Sequence, residues 1–254
     1  MSSQPLFVKQ SGTGPALIFL HGFLEDHTIW YSIYPTFVNA GYTCYMPDLP
    51  CHGNSRFEGE NCSMQEMAWA VQDLIIREKI QHAIVIGHSM GGYVGLALKK
   101  MSPLKKLILL HSNFWADSDE KKKDRDRVCE VVEKSRRLFL NEAIPNLFAP
   151  LNREFRRDHI DRLIERADKI PASEIIAATR GLRDRQEAYT QMNDNQVIMI
   201  QGDNDPVIPV SLLNQELEKL SFKPPVFTLK NCGHMGFIEQ PDDLIRVLKS
   251  VLIE

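Results

Sequence analysis

Residues Ala83–Gly92 read A-I-V-I-G-H-S-M-G-G, and they constrain this chain more than any other stretch. The apolar run Ala83–Gly87 is too short to be a typical helix and is apolar on both faces. It therefore reads as a strand buried between two layers. A helical pattern, Gly91–Met101, begins at once after it. The turn between them, Gly87-His88-Ser89-Met90-Gly91, fits G-x-S-x-G. A strand that enters a helix through so few residues needs glycines where a Cβ would crowd the turn, and it leaves the central serine in a strained backbone. That serine stands above the strand end at a helix N-terminus, where partial positive charge favours a developing anion.

The same alternation runs through most of the chain. Ala16–His21, Tyr42–Asp48, Leu104–His111, Gln196–Asp203 and Val226–Lys230 are further apolar β-rich runs, and a lead strand near Leu6–Gln10 is expected at an edge. Ser63-Met64-Gln65-Glu66 is a capping box opening a helix with Met67, Val71, Leu74 and Ile75 on one side. Pro241–Leu252 carries Leu244, Ile245, Leu248 and Val251 on one stripe. Strands alternating with helices predict an α/β fold with a doubly wound, mostly parallel sheet. From Asn113 to about Asn193 the alternation stops and only helical signals remain. Asp117–Glu142 is densely charged, with Val128, Val131, Val132, Leu138 and Phe139 as its apolar side. Asn152–Ala167 is a second helix with Phe155, Leu163 and Ile164, and Ser173–Arg180 a third, stopped by Gly181. The expected organisation is a core of 1–112 and 191–254 with an inserted helical cap over 113–190.

Composition narrows the function classes. Lys+Arg 30 against Asp+Glu 33 gives a net charge of −3 in 254 residues, which argues against a chain-wide basic surface for nucleic acid or anionic lipid. No apolar stretch reaches the ~20 residues that span a bilayer, and Met1–Gly14 has no signal-peptide pattern. Five scattered cysteines without a C-x-x-C pair read as reduced thiols of a cytoplasmic protein. No H-E-x-x-H spacing and no phosphate-cradling glycine loop is present, so neither a metal nor a cofactor is expected.

A serine hydroxyl is a poor nucleophile without a base, and in the strand–turn–helix type the order is serine, acid, histidine. Past the Gln196–Gln201 run lie two carboxylates, Asp203 and Asp205. Asp205 is favoured because Pro206 and Pro209 fix its loop. His234 follows in N-C-G-H-M, just beyond the last strand. Of the eight histidines it alone lies after the acid in a strand-end loop. His88 is expected to pack under the turn, and His27, His82 and His159 to be peripheral. In Leu20-His21-Gly22-Phe23, Gly22 lets the chain turn, so that the backbone N–H groups of Phe23 and Met90 would make a two-donor oxyanion hole.

The chain resembles the α/β-hydrolase superfamily, in its branch of small helical-lidded serine hydrolases without cofactors. The matching marks are H-G-F (21–23), D-L-P-x-H-G-x-S (48–55), G-H-S-M-G-G (87–92), G-D-x-D-P-x-x-P (202–209) and G-H-M-x-F-x-E-x-P (233–241). They span nearly everything outside the cap, in the family's order. The resemblance implies a Ser89–Asp205–His234 triad with the Phe23/Met90 oxyanion hole. Cys51 departs from it, standing where the family usually has Gly. Serine at the turn sets the chain apart from related dehalogenases and epoxide hydrolases, which carry Asp there. Leu24, Phe114, Trp115, Val207 and Met235 are candidates, with Phe23, for an apolar pocket wall. The expected activity is hydrolysis of a small carboxylic ester. Thioesterase, carbon–carbon hydrolase or menaquinone-pathway lyase chemistry would use the same triad. A small-molecule receptor on this fold is the reading of another class.

Overall fold

The computed structural model describes residues 5–252, so the N-terminal reading of residues 1–4 lies outside it. Its seven strands are β1 (Val8–Ser11), β2 (Ala16–Leu20), β3 (Thr43–Pro47), β4 (Ile84–His88), β5 (Lys106–Leu110), β6 (Val197–Gly202) and β7 (Val226–Leu229). They form one sheet in the order β1-β3-β2-β4-β5-β6-β7. β1 is an antiparallel edge strand and every other pairing is parallel. The helices are α1 (Tyr34–Asn39), α2 (Met64–Arg77), α3 (Met90–Lys99), α4 (Asp119–Ala143), α5 (Arg157–Ala167), α6 (Ala172–Arg183), α7 (Val210–Leu217), α8 (Gly236–Glu239) and α9 (Pro241–Leu252).

Successive strand residues point to opposite faces, so a strand apolar throughout feeds two cores. Ile18, Leu20, Val85, Leu107 and Leu109 join Met67 and Val71 of α2 and Val94 of α3 on one face. Leu17, Phe19, Ile86, Ile108 and Leu110 join Phe37 of α1 and Leu244 and Leu248 of α9 on the other. The exception is β7. As the far edge it leaves Val226 exposed, unlike the two-sided burial its composition suggests.

The topology positions the site. From β2 the chain moves outward to β3, and from β4 it moves the opposite way to β5. The neighbouring strands β2 and β4 therefore flank a topological switch point, with a crevice beyond their carboxyl ends. Gly22–Leu24 follows β2 and Ser89 follows β4, so both stand at that crevice.

The helical stretch departs from its pattern in several places. α4 is interrupted at Ser135, whose backbone is extended, and it buries Val132 and Leu140 while Val131 and Leu138 stay exposed. The apolar side read from the sequence is thus only partly used. α5 begins at Arg157 after a short 3-10 turn at Pro150–Asn152, which leaves Phe155 outside the helix and exposed. Leu163 and Ile164 are buried as expected. Gly181 does not end α6, which continues to Arg183. A Cβ on Gly181 would lie 1.8 Å from the Cys62 carbonyl oxygen. The glycine serves the close approach of the loop before α2, which also donates Cys62 N–H to Ala177 O at 3.0 Å.

Candidate active site

The turn at the end of β4 has the strain its sequence demands. Ser89 has φ 48° and ψ −113°, outside the comfortable regions for a residue with a Cβ. The surroundings hold it there. Its N–H donates to Leu110 O at 3.0 Å, and its carbonyl accepts from Gly92 N–H at 2.9 Å and from Ser112 Oγ at 2.7 Å. A Cβ on Gly91 would meet Leu20 O at 2.2 Å, so the helix start can press against β2 only with glycine there. Ser89 itself is half-buried, and Met90 is the first residue of α3. N–H groups of a first helical turn have no acceptor within the helix. Beyond β2, Leu24 also takes a positive φ, 66°, which shapes the turn carrying Phe23.

The structure brings Asp205 and His234 together. His234 Nδ1 lies 2.8 Å from Asp205 Oδ2. Asp205 Oδ1 accepts the N–H groups of Val207 at 2.8 Å and Ile208 at 3.0 Å, two and three residues on. Oδ2 further accepts from Gln201 Nε2 at 2.9 Å and faces His111 Nδ1 at 3.3 Å. Burial alone would raise this carboxyl. The His234 and His111 rings, by charge and hydrogen bonding, outweigh it and hold Asp205 well below the usual carboxylate range. His111 is held below the usual imidazole value by burial, and its Nε2 has no partner among the described residues. Asp203 stands apart: its Oδ1 accepts from Cys232 N–H at 3.2 Å and Asn204 Nδ2 at 2.7 Å.

The His234 loop is clamped from several sides. Its N–H donates to Leu147 O at 2.8 Å and its carbonyl faces His88 Nε2 at 2.9 Å. The buried Glu239 accepts from Gly233 and Met235 N–H through Oε1, both at 3.1 Å. Through Oε2 it accepts from Ala149 N–H at 3.0 Å and Asn152 Nδ2 at 2.7 Å. One carboxylate thus joins this loop to the helical stretch. Gln201, His111, Glu25 and the clamping role of Glu239 were not found from sequence. Only Glu239 carried a signal, as the acid of G-H-M-x-F-x-E-x-P.

The candidate wall residues divide. Phe114 and Trp115, with ring centroids 5.3 Å apart, line a cavity of about 130 Å³ with Tyr93, Asn113 and Arg185. Leu24 and Met235 are buried in the core on the α9 face, and Val207 is exposed. None of these three lines that cavity. Among the histidines expected at the periphery, His27 is buried, and its N–H and Nδ1 lie 2.8 and 2.7 Å from Asp48 Oδ1. Cys51 adopts φ 71°, the conformation for which glycine is the usual choice, and its side chain is fully buried.

Comparisons with known proteins identify the fold and the family. Residues 17–247 match the model of the alpha/beta hydrolase family. The pimeloyl-[acyl-carrier protein] methyl ester esterase of Aeromonas hydrophila is 26% identical over 255 residues, covering 95% of this chain and 97% of its own. An esterase from Thermogutta terrifontis, solved with malate bound, superposes with a TM-score of 0.89 at 23% identity, over 97% of this chain and 92% of its own. An esterase from Exiguobacterium antarcticum superposes with a TM-score of 0.87 at 19% identity, over 98% and 96%. With the family's motifs in order on its seven-stranded sheet, the chain belongs to the alpha/beta hydrolase family and is a hydrolase.

Proposed function

We propose that this protein is a serine hydrolase that cleaves a small carboxylic ester through an acyl-enzyme. The observations that carry this reading are the strained Ser89 at the carboxyl end of β4 and the buried Asp205–His234 pair at 2.8 Å. His88, the residue before Ser89, bonds the His234 backbone, so the two loops are in direct contact. In the first step the Ser89 Oγ proton passes to His234 Nε2 as Oγ bonds to the acyl carbon. The oxyanion is held by the N–H groups of Phe23 and Met90. The C–O bond to the alcohol then breaks, and the alkoxide leaves with the proton from His234. Water, deprotonated by His234, attacks the acyl-enzyme and releases the acid and Ser89. Asp205 keeps His234 in the tautomer that accepts at Nε2 and stabilises its cation.

Core residues 1–112 and 191–254 carry this machinery, and residues 113–190 form a cap over it. The Phe114–Trp115 cavity runs along α3 from Tyr93 to Lys100 and is edged by Asn113, Asp184 and Arg185; Ser89 and His234 do not line it, so the ester is not assigned to it. The relative named for methyl ester hydrolysis supports an ester over a carbon–carbon bond. No described helix is long and apolar enough to cross a membrane. All five cysteines are free thiols, in keeping with the cytoplasm. Turnover of p-nitrophenyl esters from acetate upward, compared with Ser89→Ala, tests the assignment. Ser89-dependent turnover, greatest for short chains, is expected. Absence of both turnover and labelling by a fluorophosphonate overturns it.

A further inference from the structure

Behind Ser89 lies a buried charged pair with no part in the chemistry just described. Glu25 and His88 are 63 residues apart in sequence and both nearly inaccessible. Glu25 Oε2 accepts the Gly22 N–H at 2.5 Å and lies 2.9 Å from His88 Nδ1. The other ring nitrogen, Nε2, lies 2.9 Å from the His234 carbonyl oxygen. The chain therefore runs without a break from the turn before Phe23, through Glu25 and His88, to the backbone of His234. The fit is close, since a Cβ on Gly22 would lie 2.8 Å from both Glu25 Oε2 and His88 Nδ1.

The proton count follows from the partners. A carbonyl oxygen only accepts, so the hydrogen facing His234 is on His88 Nε2. Glu25 Oε2 already receives an N–H from Gly22, and a carboxylate accepts several such bonds best when ionised. Burial opposes charge on both groups, but their mutual attraction and hydrogen bond outweigh it, lowering Glu25 and raising His88. With Glu25 ionised, His88 donates from both nitrogens as an imidazolium. The other titratable groups around the pair are His21 and His52 on the Glu25 side, Asp205, and the His234 and His111 rings, whose centroids lie 5.0 and 6.0 Å from that of His88.

We propose that Glu25 and His88 are positioning residues: an imidazolium–carboxylate strap that holds the oxyanion-hole turn and the His234 loop in one fixed relation. Neither touches the reacting atoms. With Glu25 ionised, a neutral His88 has one N–H and can hold only one of its two acceptors; the uncharged alternative, a proton on Glu25 donating to Nδ1, is the one the measurement below separates from the strap. This inference rests on the proposed hydrolase reading, because the strap matters to rate only if Phe23 N–H and His234 act together in the transition state.

Two measurements test it. The first is ¹⁵N-histidine NMR on the wild-type protein at pH 8, where both His88 ring nitrogens are expected to carry protons; a neutral His88 overturns the proposal without any variant having to fold. The second is Glu25→Gln, which keeps the shape and removes the charge. A misplaced donor or base costs about 10- to 100-fold in rate. The expected result is a kcat on p-nitrophenyl acetate, and a rate of fluorophosphonate labelling, both lowered by that factor, with KM within about two-fold. A Glu25→Gln enzyme with wild-type kcat and labelling rate overturns the strap alone. A wild-type protein that neither turns over nor labels overturns the hydrolase reading instead.

Discussion

Replacing Asp205 by asparagine exposes the triad assignment to its most demanding test. The carboxylate receives five polar contacts: two backbone N–H groups on Oδ1, and His234, His111 and Gln201 on Oδ2. An asparagine can keep its carbonyl oxygen at the Oδ1 position, where Val207 and Ile208 donate. Its NH₂ then occupies the Oδ2 position and confronts two imidazole Nδ1 atoms and the Gln201 amide. The simplest relief is for His234 to change tautomer, with Nδ1 accepting from the new side-chain amide and Nε2 holding the hydrogen. A histidine protonated at Nε2 cannot take the Ser89 proton. In the Ser-His-Asp template this exchange lowers kcat by about 10⁴-fold, or about 5 kcal/mol of transition-state stabilisation at 1.36 kcal/mol per decade. Asp203→Asn leaves an oxygen facing Cys232 N–H and Asn204 Nδ2 and should cost less than about ten-fold, since Asp203 has no hydrogen bond to His234 and the bonds it loses charge from lie outside the triad. The assay is kcat for p-nitrophenyl acetate with both variants beside the wild type. Asp205→Asn within ten-fold of wild type, or a larger loss for Asp203→Asn, refutes the orientation argument.

Three further outcomes follow. Ser89→Ala should lower turnover by about 10⁶-fold while moving the melting temperature by less than about 3 °C, because a half-buried hydroxyl is lost and the backbone is unchanged; residual Ser89-independent turnover near wild type would remove the nucleophile. Gly181→Ala forces a Cβ toward the Cys62 carbonyl and should destabilise by about 1–3 kcal/mol, read by urea denaturation; an unshifted midpoint would show that α6 and the loop before α2 part easily. Burial lowers His52 from 6.5 to about 3, so between those values the unfolded chain binds the extra proton. Stability is therefore full above pH 6.5 and is lost as pH falls, by about 3 kcal/mol from pH 7 to 4 for this group. His52→Gln should flatten the slope of unfolding free energy against pH relative to wild type, and equal slopes would contradict the burial account.

Local signals in the sequence carried much of the fold. Ser63–Glu66 reads as a capping box because both partners lie within one helical turn, and the structure forms both of its bonds. The two-sided apolar runs read as central parallel strands because a strand covered on both faces has no other composition open to it. The serine turn was legible because strain, glycine and a helix start are all encoded within ten residues.

Where the signal depended on which distant segments meet, only the tertiary structure decided it. Gly181 looks like a helix stop and is a contact point, because the Cys62 loop that needs the space lies far earlier in the chain, before α2. Val131 and Leu138 are apolar yet exposed, because the rest of the fold covers only the sides of α4 that carry Val132 and Leu140. Cys51 could adopt a glycine's conformation because full burial in the core holds it there. Glu25 with His88, and His111 with Asp205, are unremarkable residues until the order of strands β2, β4, β5 and β6 sets their loops side by side. Periodicity and caps act over a few residues and can be read along the chain. Close approach and shared protons act through space, and only the folded sheet determines which side chains share it.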